Sequence, residues 1–188
     1  MRGIARAWLR AAARQGALLL LAAAGQAFGQ NMGEYPVKAA FLLNFARYTE
    51  WPAQAAMPPN QRLTLCVIGA DPFGASLAPL ERKSVQGREM RIQRAVTVDS
   101  LGQCELLFVP ESEEPRLASI LHAARGRAVL TVSDIEGFAE AGGMIGLLIA
   151  EQRVRFDVNL DALRGSNLRL SAQVLRLART VIGARATP

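Results

Sequence analysis

Two short runs, Leu63 to Ile68 and Leu106 to Val109, are almost wholly apolar, and each is closed by a chain breaker, Gly69 and Pro110. Runs of this length bounded in this way suit strands buried on both faces. Such strands need a sheet with helices above and below, and the rest of the chain supplies candidates for those helices. Pro36 stands where the first helical residue belongs, since a missing N–H costs nothing there. Val37 to Tyr48 then reads as a helix apolar nearly all round, hence buried on more than one side, and Trp51-Pro52 ends it. Asp71-Pro72 predicts a helix start, running to about Leu80. Met90 to Val98 alternates like a half-buried strand, and Pro115 to Ala124 reads as a helix with Leu117, Ile120 and Leu121 on one side. Val129 to Val132 is a strand, after which Ser133-Asp134 is expected to cap a short helix to about Ala141. Gly142-Gly143 leads into Met144 to Ala150, paired antiparallel with Val154 to Asn159. A last helix is expected from about Ser171 to Ile182, with Val174, Leu175, Ala178, Val181 and Ile182 at helical spacing. The pattern predicts a three-layer α/β fold: a mostly parallel sheet, helices on both faces and an antiparallel C-terminal hairpin.

The N-terminus carries an address. Arg2, Arg6, Arg10 and Arg14 precede an apolar run from Ala17 to Ala24, and Ala27-Phe28-Gly29 offers small residues at the positions a signal peptidase reads. The run is far short of the roughly 20 apolar residues of a spanning helix. Residues 1–29 are therefore expected to be a cleaved secretory signal, and 30–188 a single domain in the periplasm with no membrane span after processing. The whole chain carries +6, but removing the four signal arginines leaves 18 basic against 16 acidic residues. The remaining arginines are scattered and no reading motif is present, which argues against nucleic acid as a partner.

The inventory of reactive groups points away from catalysis. His122 is the single histidine, and with two distant cysteines it makes no zinc-type cluster. Gly69 to Ser76 faintly imitates a phosphate loop, but Ala75 stands where the lysine is required and Pro72 removes a backbone donor. Glu111, Glu113 and Glu114 precede a helix, where acidic residues are stabilised by the helix dipole. No enzyme activity and no cofactor are expected. Cys66 and Cys104, each in or just before a buried strand, are either bonded, as two cysteines in an exported chain tend to be, or two buried thiols acting as small hydrophobes. The absence of a Cys-x-x-Cys pair argues against an oxidoreductase.

Four ordered blocks, Phe41 to Pro52 (FLLNFARYTEWP), Leu65 to Gly74 (LCVIGADPFG), Val132 to Leu148 (VSDIEGFAEAGGMIGLL) and Phe156 to Ala178 (FDVNLDALRGSNLRLSAQVLRLA), together resemble the YfiR family of periplasmic proteins. The resemblance implies a protein–protein regulator. It would inhibit a membrane diguanylate cyclase through that enzyme's periplasmic part, and be relieved by an outer-membrane, peptidoglycan-associated lipoprotein or by reducing conditions. It also implies that Cys66 and Cys104 are the family's strand-linking pair. The second cysteine pair of better-known members has no counterpart between Met144 and Glu151. A small-ligand-binding sensor module is the alternative reading.

Phe45, Tyr48 and Trp51 crowd the end of the first helix, which has more apolar residues than one face can hold. Either the last helix covers the surplus or these aromatic residues form a partner surface or homodimer contact. Mass spectrometry of the exported protein is expected to find an N-terminus within a few residues of Gln30; an intact Met1 would contradict the signal assignment.

Overall fold

The computed structural model describes residues 33–52 and 62–183. The export segment and residues 53–61 lie outside the described residues. Helix α1 spans Glu34–Tyr48 and runs into β1 (Thr49–Glu50). Then come β2 (Leu63–Ile68), a 3₁₀ helix (Gly74–Leu80), β3 (Ser84–Val85), β4 (Arg88–Val96), a second 3₁₀ helix (Val98–Gln103) and β5 (Leu106–Val109). A third 3₁₀ helix (Glu111–Arg116) leads directly into α2 (Leu117–Ala124) and β6 (Leu130–Ser133). The chain closes with β7 (Ile145–Ala150), β8 (Arg153–Asn159), α3 (Leu160–Gly165), β9 (Arg169–Leu170), α4 (Ala172–Leu175) and β10 (Thr180–Ile182).

Eight strands form one sheet in the order β10-β8-β7-β6-β5-β2-β4-β3, and β1 pairs with β9 in a separate ribbon. Strands β4, β2, β5, β6 and β7 run parallel, while β7–β8 and β3–β4 are antiparallel. The architecture is the α/β arrangement expected, with β2 and β5 at the bounds read from the sequence.

Every residue of β2 is buried, and its alternation feeds two cores. Leu63, Leu65 and Val67 face the larger one, shared with α1, the first 3₁₀ helix, α3 and α4. Cys66 and Ile68 face a smaller one with Leu101, Leu107, Ile120 and Phe138. Helix α1 buries Ala39, Leu42, Phe45 and Ala46, and the Phe156 ring of β8 lies 5.1 Å from the ring of Phe45 and 5.7 Å from that of Phe41. At its C-terminal end the helix is closed by Gln86, whose Nε2 donates to the carbonyls of Ala46, Arg47 and Thr49 at 3.2, 3.0 and 2.7 Å. Those are carbonyl groups that a helix end otherwise leaves unsatisfied.

Three expectations are corrected. The last helix stops after Leu175, and Thr180–Ile182 is instead a strand pairing parallel with Asp157–Asn159 of β8. Three consecutive β-branched residues lose side-chain freedom in a helix and fit a pleated edge, and the Arg179 guanidinium is held by the Asp157 carboxylate beside them. The short helix after Ser133-Asp134 is a series of turns. The Ser133 hydroxyl is engaged, donating to the Val109 carbonyl at 2.6 Å and accepting from the Ile135 amide at 2.9 Å, and Asp134 points to α1 and Glu111. Phe45 is 1% exposed and belongs to the core, because the sheet side of α1 needs a large apolar residue opposite Phe156. Truncating a buried phenylalanine removes its transfer energy and leaves a cavity. Phe45→Ala is expected to cost about 3–5 kcal/mol in urea unfolding; a change below about 1 kcal/mol would contradict this packing.

Candidate functional site

The carboxyl ends of the parallel strands are where open α/β sheets bind ligands, above all where the strand order reverses. Here the reversal lies between β2 and β5, and Glu113 fills it. Its side chain is buried, bonded by Arg116, and its carboxylate lies where a Cβ on Gly69 would stand. Gly69 has φ +63°, so a side chain there would be strained as well as blocked. The loop that faintly imitates a phosphate site is thus tied to the chain's own carboxylate. Asp71 accepts from the Phe73 amide at 2.8 Å and from Arg94 Nε at 2.7 Å. His122 lies exposed on α2. Among the described residues no group of three or more His, Cys, Asp or Glu could hold a metal.

Next to this crevice a latch joins α1 to the ends of β5 and β6. Lys38 is only 3% exposed; its Nζ lies 2.6 Å from Asp134 Oδ2 and is also bonded to Glu34. Asp134 Oδ1 accepts from the Glu111 amide at 3.0 Å, and the Tyr35 hydroxyl donates to Oδ2 at 3.4 Å. Burial alone would lower the Lys38 pKa, but its hydrogen bonds to Asp134 and Glu34 outweigh that and the net shift is upward. The Tyr35 pKa also rises, first through burial and then through the charge of Asp134.

Cys66 of β2 and Cys104, the residue that ends the second 3₁₀ helix, are joined in a disulfide with Cα atoms 5.8 Å apart. The bond sits in the smaller core. It is not a bond between two strands, since Cys104 precedes β5.

The aromatic residues at the end of α1 divide. Phe45 is core, Tyr48 is 42% exposed and Trp51 is half-buried against the larger core. The indole Nε1 of Trp51 is buried and has no hydrogen-bond partner among the described residues. Trp51 borders a cavity of about 650 Å³ with Glu50, Pro52, Arg164, Asn167, Leu168 and Arg169. The Tyr48 carbonyl accepts from the Ser171 amide at 2.9 Å and Thr49 pairs with Leu170, so the segment after α3 stands beside this face. The sequence pattern singled out Tyr48 and Trp51 as candidates only. The arginines that line the cavity with Trp51 come from a segment about 115 residues further on, and no local signal in the sequence links the two.

The blocks quoted above meet in space. A Cβ on Gly143 would fall within the Phe138 ring, so that ring packs directly on the backbone. Asn159 donates from Nδ2 to the Ala139 carbonyl at 2.8 Å and accepts from the Ala162 amide at 2.9 Å, tying the turn segment to β8 and to the start of α3. Ser171 Oγ accepts from the Val174 amide at 3.5 Å, opening α4.

Residues 35–179 match the family described as YfiR/HmsC-like. The chain belongs to the YfiR/HmsC-like family. That family is one of periplasmic regulatory domains, and among the described residues no helix of this member is long and apolar enough to cross a membrane. Two solved structures are similar at 10% sequence identity: an ABC domain in complex with L-Trp from Streptococcus pneumonia, with TM-score 0.47 over 75% of this chain, and a conserved domain protein from Vibrio cholerae, with TM-score 0.49 over 79%. The chain covers 60% of each of those proteins.

Closing a loop between residues 38 apart removes denatured-state entropy worth roughly 4 kcal/mol in the chain-entropy model. A Cys66→Ala/Cys104→Ala variant is expected to lose stability of that order in urea unfolding, and reductant should shift the parent protein towards the variant. Two thiols titrating in the native, unreduced protein would contradict the bond.

Proposed function

We propose that this chain is an exported repressor that docks on the periplasmic part of an inner-membrane diguanylate cyclase and so lowers cyclic-di-GMP. The single observation that carries this reading is the family match across residues 35–179. In this reading the signal is cleaved after residue 29, and residues 30–188 act as one regulatory domain, alone or as a homodimer. Sequestration by an outer-membrane, peptidoglycan-associated lipoprotein would relieve the repression. The docking face we assign is the end of α1, where Tyr48 is exposed and Trp51 lines a cavity with Arg164 and Arg169. Tryptophan, tyrosine and arginine are the residue types that dominate binding energy at interfaces.

A clean deletion is expected to raise cellular cyclic-di-GMP and surface attachment when the cyclase is expressed, and the wild-type gene to restore both. Trp51→Ala should weaken cyclase binding about thirtyfold, the equivalent of a ~2 kcal/mol hot spot, while circular dichroism stays native. An unchanged nucleotide level in the deletion strain would reject the cyclase reading. Loss of native structure in Trp51→Ala would return Trp51 to the core and move the interface elsewhere.

A further inference from the structure

The β7–β8 hairpin reaches past both of its neighbours. Pairing within it runs from Ile145↔Val158 to Ala150↔Arg153, around a two-residue turn at Glu151-Gln152. On one side β6 pairs with β7 only at Ile145 and Gly146. On the other, β10 begins opposite Asp157, preceded by the Arg179 amide, which donates to the Phe156 carbonyl at 2.8 Å. Leu147 to Ala150 therefore extend beyond the last residue of β6. The chain after Ser133 leaves the sheet plane instead of continuing the strand: Ala139 N lies 3.5 Å from where a Cβ on Gly146 would be. Among the described residues, no strand occupies the lane that β6 would have continued.

The orientation of the backbone in that lane follows from one bond. The Asn159 amide donates to the Met144 carbonyl at 2.8 Å. In an antiparallel pair, residues alternate between facing the partner strand and facing away. Past the Met144 carbonyl, Gly146, Leu148 and Ala150 thus turn their N–H and C=O to β8, and Leu147 and Ile149 turn theirs outward. Ile149 is 51% exposed, while Leu147 is buried. The outward edge borders a cavity of about 660 Å³ whose other walls include Glu111, Glu136 and Glu140. All three glutamates are exposed and none forms an ion pair among the described residues. The other charges on this lining are matched, Asp134 by Lys38 and Asp157 by Arg179. An open strand edge with a net negative wall selects its occupant. A second copy pairing edge to edge would bring two sets of glutamates together, whereas an extended segment carrying lysine or arginine would neutralise them.

We infer that the edge of β7 from Leu147 to Ala150 is a docking strand for an extended, basic segment of a partner protein. The segment adds to the sheet in the lane vacated by β6. Its backbone bonds to Ile149, and its cationic side chains lie against Glu111, Glu136 and Glu140. Strand addition of this kind draws affinity from main-chain hydrogen bonds and specificity from alternate side chains. The surface is separate from the Tyr48–Trp51 face. The Lys38 latch marks its end of α1, and Tyr48 lies about 15 Å away along the helix axis. It goes beyond the cyclase reading and does not depend on it.

The test uses the mature protein and a fluorescent, amidated octapeptide of alternating lysine and valine, followed by anisotropy. A control peptide of the same sequence is N-methylated at alternate residues, which keeps its charge and removes the donors along one edge. The plain peptide should bind at least tenfold more tightly than the control. Ile149→Pro removes an outward N–H that no described residue uses, a position where an edge strand tolerates proline, and should weaken binding at least tenfold. Glu136→Gln/Glu140→Gln should weaken it severalfold and flatten its salt dependence. Equal affinity for the two peptides on the unaltered protein would overturn the inference whatever the variants do, since it would reduce the contact to charge alone. Absence of binding would overturn it too, as would a dimer in sedimentation that Ile149→Pro dissolves, because the occupant would then be a second copy. A deletion strain with unchanged cyclic-di-GMP would remove the cyclase reading and leave these outcomes as they stand.

Discussion

Strand β2 belongs to two cores at once, and the Cys66–Cys104 bond fastens the weaker of them. On the larger side, α1, the first 3₁₀ helix, α3 and α4 bring enough apolar surface to hold themselves. On the smaller side the cover is thin. One helix of eight residues, a 3₁₀ turn and the turns around Phe138 close the face. Without a covalent tie, the turn that carries Leu101 and Cys104 would be held by few apolar contacts, in the manner of segments that open locally. The disulfide links it to the longest wholly buried strand among the described residues, so the small core inherits the rigidity of the sheet centre.

The crevice at the reversal of strand order is closed by Glu113 and braced by the Lys38–Asp134 latch. The features left open lie at the periphery: the end of α1, and the hairpin that outruns its neighbours. Both are built from backbone edges and aromatic or aliphatic side chains, which suit recognition of another protein more than chemistry on a small molecule.

What was legible in the sequence follows the strength of local pattern. Strands β2 and β5 could be read residue for residue, because a wholly buried strand is apolar on both faces and each is closed by a breaker. The last helix misled because Val174, Leu175, Ala178, Val181 and Ile182 satisfy a helical period. What decides their state is the free edge of β8, and no local window contains that strand. Phe45 and Trp51 look alike as aromatic residues near one helix end; only the position of Phe156, more than a hundred residues away, assigns the first to the core. The latch was invisible for the same reason. Lys38 reads as a surface lysine until Asp134 is placed against it. The acidic wall beside β7 gathers Glu111, Glu136 and Glu140 from two connections whose proximity depends on the order of the strands.

The latch also sets how the molecule tolerates changes in acidity. Lys38 has a folded-state pKa above its usual value near 10.5. A cation stabilised in the native state contributes fully below its unfolded pKa, and that contribution fades only as the pH rises through the raised one. Throughout the acidic and neutral range the lysine therefore keeps its charge, so a loosening of this latch in acid has to begin at the carboxylates that hold it, Asp134 and Glu34, and a loosening in alkali at the lysine itself.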